Sequence, residues 1–114
     1  MNKVVIHIFH DDAASLGTGS HVSERIRQIM NEKGVTLEVF VFGPAQKALF
    51  GPAQTGFRDT LAALVKNGVP VHICRQIAES MGNAEESTQL GLTLEYAREA
   101  FVRYAQEGAT VISF

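Results

Sequence analysis

Residues 69–80 read VPVHICRQIAES, and this stretch contains the change from strand to helix that decides the fold. The run from 69 to 73 is apolar and rich in β-branched residues, which is typical of a buried strand. Polar, helix-forming residues follow from 75 to 80, and Cys74 stands between the two segments. A buried strand that leads directly into a helix predicts an α/β protein with a parallel sheet.

The rest of the chain repeats this alternation of strands and helices. The hydrophobic pattern predicts further strands at 4–9, 37–42 and 110–114, and a very short one at 92–94. It predicts helices from about residue 20 to Gly34, over 55–68, over 75–80 and over 95–108, with a polar surface loop at 81–91. Strands joined through helices form right-handed crossovers. We therefore predict one domain over residues 1–114, a three-layer α/β/α sandwich around a mostly parallel sheet of about five strands.

Composition excludes several classes of function. The net charge is −2 and no cluster of Lys or Arg is present, so the chain lacks the basic surface that nucleic-acid binding requires. No apolar run approaches the roughly 18 residues of a membrane span, and the first apolar run, at 4–9, is too short for a signal peptide. A single cysteine cannot form an intramolecular disulfide, which fits a reducing compartment. We therefore expect a cytoplasmic protein.

The pentapeptide FGPAQ occurs twice, at 42–46 and 50–54. The interval is too short for a structural repeat, since solenoid repeats have periods of about 20 residues or more. Proline is favoured at the first helical position, so the two copies predict two successive starts of helical turns.

Polar and reactive residues follow three of the predicted strands. His10, Asp11 and Asp12 follow the first strand, Gly43 follows the second, and Cys74 follows the third. Ligands of open α/β sheets bind beyond the carboxyl ends of the strands, so these residues form the candidate site.

Cys74 has two interpretations on position alone. A helix N-terminus and the adjacent Arg75 would favour the thiolate, which could attack electrophilic sulfur or carry a persulfide. Free cysteine is also among the most buried residue types, so Cys74 could equally be a structural core residue.

The remaining polar residues give weaker signals. His10 could handle a proton beside the thiol, whereas Asp11 or Asp12 could simply begin a turn. His7 and His72 lie inside strands and are expected to be packed and hydrogen-bonded, and no spacing such as H-x₃-H or C-x₂-C predicts a metal site. GTGSH at 17–21 precedes the predicted helix but lacks the pattern of a phosphate-binding loop, so we interpret it as a flexible loop.

Several segments in order carry a family resemblance. These are the β-branched strand that opens at residue 3, VFGPA at 41–45, GVPVHIC at 68–74, and a last helix that leads into EGATVISF at 107–114. Over nearly its whole length the chain resembles the DsrE/DsrF-like family of small sulfur-relay proteins. The resemblance implies a sulfurtransferase-type fold with a five-stranded sheet and assembly into trimers or hexamers. It also implies that a working cysteine carries sulfur as a persulfide at the position of Cys74.

The resulting hypothesis is a sulfur carrier that needs no cofactor or metal and exchanges sulfur with donor and acceptor proteins. Cys74 is its nucleophile and His10 its candidate proton-handling residue, while Arg75, Gly43 and Asp11 are candidates for binding the anion. The alternative is a non-enzymatic assembly subunit that uses the same cleft for a small anion or a partner chain. In that case Cys74 is structural, and Phe50 and Phe57 mark an exposed oligomer surface.

Overall fold

The computed structural model describes residues 2–114, and strands and helices alternate along this range. The strands are β1 (Asn2–Ile8), β2 (Val35–Val41), β3 (Val71–Cys74), β4 (Thr93–Glu95) and β5 (Thr110–Ser113). The helices are α1 (Ala13–Lys33), α2 (Gly43–Ala48), α3 (Thr55–Lys66), α4 (Arg75–Met81), α5 (Ala84–Gln89) and α6 (Ala97–Glu107), with a 3₁₀ turn at Pro52–Gln54.

The strands form one five-stranded sheet in the order β4-β3-β2-β1-β5, and every observed pairing is parallel. Strands β1 to β4 therefore lie side by side in chain order, and β5 returns to the far side of β1. The register places His7 beside Phe40, and Phe40 beside His72. The predicted α/β sandwich with a five-stranded sheet is confirmed.

Alternating side chains of the strands build a core on each face of the sheet. On one face, Ile6, Val39 and Ile73 pack with buried leucines of α1 and α3. On the other face, Val5 and Phe40 pack with Ala100 and Tyr104 of α6. Because neighbouring residues of a strand point to opposite faces, His72 and Cys74 lie on the α6 side.

The start of α1 was predicted too late. The helix begins at Ala13, because the Asp12 carboxylate caps it by accepting a hydrogen bond from the Ser15 N–H at 3.0 Å. GTGSH at 17–21 is therefore helical, and its interpretation as a loop was wrong. Ser20 is buried and donates its hydroxyl proton to the Leu16 carbonyl at 2.7 Å, so the hydroxyl is satisfied within the helix.

Two further local predictions need correction or support. The segment 81–91 is not only a loop, because α5 occupies six of its residues. Pro44 and Pro52 each stand in the first turn of a helical segment, as the two FGPAQ copies predicted.

Within residues 2–114, no helix has both the length and the apolar character that crossing a bilayer requires.

Candidate functional site

Cys74 is the last residue of β3 and directly precedes α4. It adopts an extended backbone conformation and is only 5% exposed. The thiol therefore lies at the carboxyl edge of the sheet, as predicted, but it is covered by surrounding residues. A reagent therefore has little access to the side chain in this arrangement.

The side chain of Gln46 holds the main chain of Cys74. The Cys74 N–H donates to Gln46 Oε1 at 3.0 Å, and Gln46 Nε2 donates to the Cys74 carbonyl oxygen at 2.8 Å. Gln46 itself is 3% exposed. Sequence reasoning did not identify this residue, although the first FGPAQ copy contains it.

The other predicted site residues lie around the same edge but do not converge on the thiol. His10 and Asp11 are exposed in the connection between β1 and α1. Since β2 separates β1 from β3, these strands are about 10 Å apart, from a spacing of about 4.8 Å between neighbours. Arg75 is half-buried and forms no ion pair within residues 2–114.

Gly43 has a packing role that its position after β2 did not reveal. It is buried with φ +63°, and a Cβ atom there would lie 2.4 Å from the Phe9 ring. Only glycine combines this backbone conformation with so close an approach of an aromatic ring.

The apolar surface is not where the assembly hypothesis placed it. Phe57 of α3 is buried in the core on the α1 and α3 face of the sheet, and Phe50 is half-buried against the same core. Large exposed apolar side chains lie instead on α6 and β5, at Phe101, Val102 and Val111.

A buried carboxylate on the α6 side organises a network of charges that sequence reasoning missed. Glu38 of β2 is 2% exposed. It pairs with Lys3 Nζ at 2.7 Å and with Arg103 Nη2 at 2.7 Å, and it accepts a hydrogen bond from the Tyr104 hydroxyl. Burial alone would raise the pKa of Glu38, but the hydrogen bonds from Arg103, Lys3 and Tyr104 outweigh it and hold that pKa at about 2.

The same network contains a group of potential metal ligands. Glu38, His72 and Glu95 each offer one ligand atom, and these atoms lie within 4.8 Å of one another. Both carboxylates already pair with Arg103, and His72 Nδ1 lies 2.8 Å from Glu95 Oε1. A divalent cation would have to compete with a guanidinium for both carboxylates, so the charges of this group are already compensated within the chain.

His7 lies among aromatic rings on the α6 side. Its Nδ1 is 3.0 Å from Ser113 Oγ, and its ring centroid is 5.3 Å from that of Phe101. The buried Nε2 atom has no hydrogen-bond partner within residues 2–114. Burial, and secondly the charge of His10, lower the pKa of His7, which favours the neutral form of the imidazole.

Solved structures of similar fold come from three organisms. The conserved protein BT1422 of Bacteroides thetaiotaomicron is 18% identical with a TM-score of 0.80, over 99% of this chain and 95% of that one. MTH1491 of Methanobacterium thermoautotrophicum is 20% identical with a TM-score of 0.77, and the ychN protein of E. coli is 19% identical with a TM-score of 0.72. Both comparisons cover 100% of each chain. At these identities the likeness establishes the fold alone.

Sequence comparison identifies the family. No curated protein sequence matches the chain significantly. The model of the DsrE/DsrF-like family matches residues 3–114, which is nearly the whole chain and includes the edge that carries Gln46 and Cys74. The chain therefore belongs to the DsrE/DsrF-like family.

Proposed function

We propose that this protein is a sulfur carrier that accepts and transfers sulfane sulfur as a persulfide on Cys74. Membership of the DsrE/DsrF-like family supports a function of the sulfur-relay type. The observation that carries the proposal is the placement of the chain's only cysteine at the carboxyl end of β3, with its main chain fixed by Gln46. This is the edge at which open α/β sheets bind their ligands.

The transfer is a simple exchange at sulfur. The Cys74 thiolate attacks the outer sulfur of a donor persulfide, R–S–SH, and a new S–S bond forms as the donor's S–S bond breaks. The proton of the transferred sulfur passes to the departing donor, which leaves as the thiol R–SH, and Cys74 becomes the persulfide anion Cys–S–S⁻. An acceptor thiolate then attacks the outer sulfur of the protonated persulfide, Cys–S–SH. A new S–S bond forms on the acceptor, the S–S bond at Cys74 breaks, and Cys74 returns to its thiolate. Neither step requires an external oxidant, a metal or a cofactor.

The half-buried Arg75 and the exposed His10 and Asp11 take supporting roles in this proposal. The main-chain amide of Arg75 directly follows the sulfur-bearing residue, and we assign to it the stabilisation of the persulfide anion. His10 is the proton-handling candidate of the same edge, and Asp11 and Gly43 border it. Movement around Cys74 has to bring the donor into this region, because the thiol is covered in the structure described here.

We also propose that the protein assembles into homo-oligomers, trimers or hexamers, in the cytoplasm, and meets separate donor and acceptor proteins there. The exposed apolar residues Phe101 and Val102 belong to α6, and exposed Val111 pairs in register with Val5, which faces α6. Apolar side chains grouped on one side favour an interface. Multi-angle light scattering of the wild type and of Val102→Lys tests this, and a monomeric wild type would contradict it.

The sulfur-carrier proposal is tested by intact-protein mass spectrometry. After incubation with inorganic polysulfide, we expect a gain of about 32 Da, one sulfur atom, that maps to Cys74 and disappears on reduction. Cys74→Ser should fold and assemble normally but take up no sulfur. Equal uptake by Cys74→Ser, or no uptake by the wild type, would contradict the proposal.

The burial of Cys74 favours one alternative, a non-enzymatic assembly subunit in which this cysteine is structural. Under that alternative the thiol resists iodoacetamide in the native state, and polysulfide leaves the protein mass unchanged. Alkylation of native Cys74 at a rate well above that of global unfolding would exclude it.

A further inference from the structure

We propose that the Gln46 side chain is a latch that keeps the Cys74 thiol covered, and that release of this latch exposes the thiol for reaction. Gln46 is thus a positioning residue. Its importance for sulfur transfer rests on the proposed function, whereas its control of thiol exposure does not.

Gln46 replaces a strand partner that the sheet does not supply. The pairing of β2 with β3 ends at Val41 and Ile73, and the chain turns into α2 at Gly43. Cys74 is therefore the first residue of β3 without a β2 residue beside it. The Gln46 amide both accepts from the Cys74 N–H and donates to the Cys74 carbonyl, as a neighbouring strand would.

Loss of the two Gln46 hydrogen bonds would leave the main-chain N–H and C=O groups of Cys74 without these partners. Both groups belong to buried residues, and a buried N–H or C=O group without a partner is strongly disfavoured. Without the Gln46 amide, the closed arrangement therefore loses free energy relative to an arrangement in which Cys74 meets water. Only the local equilibrium between covered and exposed thiol has to change.

The elements that the latch joins are short. Gln46 belongs to α2, of six residues, and Cys74 precedes α4, of seven residues. Helices of this length have little stability of their own and depend on their contacts. Segments held by few contacts are those that open locally without global unfolding.

The chain contains a matched control for this residue. Gln54 ends the second FGPAQ copy, in the 3₁₀ turn before α3, so its local sequence is the same as that of Gln46. Gln54 is half-exposed, and its side chain forms no hydrogen bond with any of residues 2–114. A substitution there removes the same amide without touching Cys74.

The test measures how fast 2,2′-dithiodipyridine labels Cys74 in the native, full-length protein at pH 8. Gln46→Met keeps the length of the side chain but neither hydrogen bond. At about 1 kcal/mol for each bond and 1.4 kcal/mol for each factor of ten, labelling should become about 25-fold faster. Gln54→Met should label within about twofold of the wild-type rate, since it loses no hydrogen bond.

Gln46→Glu is the second variant, and it tests the latch if Gln46→Met does not fold. Its carboxylate still accepts from the Cys74 N–H but cannot donate to the Cys74 carbonyl at pH 8, so labelling should again exceed the wild-type rate, here by about fivefold for the one lost bond. Urea unfolding of each variant gives the global stability. A latch predicts more acceleration of labelling than the change in the global unfolding constant explains.

Three results would overturn the latch. Wild-type labelling rates in the Gln46 variants would do so, as would equal acceleration by Gln54→Met, or acceleration that matches global destabilisation. Polysulfide uptake by the wild type, measured in parallel, separates this proposal from the sulfur-carrier proposal. Faster labelling of Gln46→Met without any sulfur uptake by the wild type supports the latch and rejects the carrier. Uptake with unchanged labelling rejects the latch alone.

Discussion

Replacement of the buried Glu38 by glutamine should destabilise the protein strongly at neutral pH. Glu38→Gln keeps the size of the side chain but removes the negative charge that faces Lys3 and Arg103. Removing one partner of a buried ion pair typically costs 3–5 kcal/mol because the remaining charge is left without compensation. We expect a loss near the lower end of that range, about 3 kcal/mol, since Arg103 keeps its pair with Glu95.

The pKa of Glu38 gives an independent magnitude and a sign. The ordinary value is 4.5, and the folded protein holds it at about 2, so the gap corresponds to about 3 kcal/mol. A depressed carboxyl pKa stabilises the folded state above the unfolded-state pKa, and this stabilisation is lost as the pH falls through the folded-state value. The deficit of Glu38→Gln should therefore shrink by about 2 kcal/mol between pH 7 and pH 3.

Urea denaturation of the wild type, Glu38→Gln and Glu107→Gln across this pH range is the assay. Glu107 pairs with the same two cations, Lys3 at 3.0 Å and Arg103 at 3.2 Å, but lies at the surface. Its substitution should cost less than about 1 kcal/mol. Equal losses in both variants, or a Glu38→Gln deficit that stays constant down to pH 3, would refute the reasoning.

Three further predictions concern packing, capping and burial. Gly43→Ala should lower the free energy of unfolding by about 3 kcal/mol, because the added Cβ clashes with the Phe9 ring and the backbone is left-handed. Gly108 has a similar φ of +67° but no close neighbour, so Gly108→Ala should lower the free energy of unfolding by only about 1 kcal/mol in the same urea titration. Asp12→Ala should destabilise the protein through the missing cap of α1 and lower the urea midpoint, and an unchanged midpoint would contradict that role. Because the pKa of His7 lies below its ordinary value of 6.5, the wild type should lose stability as the pH falls below 6.5. His7→Phe should flatten this part of the plot of melting temperature against pH. Parallel plots for the two proteins would contradict the role of His7 in this loss.

The architecture could be predicted from the sequence because its signals are local. A buried strand is a run of β-branched residues, and a helix end is marked by a glycine such as Gly34 or Gly108, both of which adopt left-handed conformations at the ends of α1 and α6. The start of α1 was missed because Gly17 and Gly19 are typical of loops. Gly19 is a glycine for a tertiary reason, since a Cβ there would lie 2.8 Å from Ile8 of β1. No local pattern reveals that contact.

The candidate site could be predicted only in part, for a similar reason. Cys74 was found because a strand, a cysteine and a helix follow one another in twelve residues. Gln46 is 28 positions away from Cys74, and Arg103 is 65 positions away from Glu38, so neither pairing leaves a trace in nearby sequence. Hydrogen-bond partners over such separations depend on the register of the strands, which only the folded sheet defines.

The strand order has a consequence for how this chain folds during synthesis. Strands β1 to β4 add to one side of the sheet in the order in which they are made, so the pairing of these four strands requires no residue beyond 95. The α6 side of that partial sheet, with Glu38 and Phe40, stays open to water until the last twenty residues emerge. The pairing of β1 with β5 joins positions more than 100 residues apart and must come last, since loop closure over such a distance precedes any gain from the contact. Until α6 and β5 have left the ribosome and folded onto the sheet, the nascent chain therefore has an unprotected β1 edge and an apolar face that are open to chaperones and to other nascent chains.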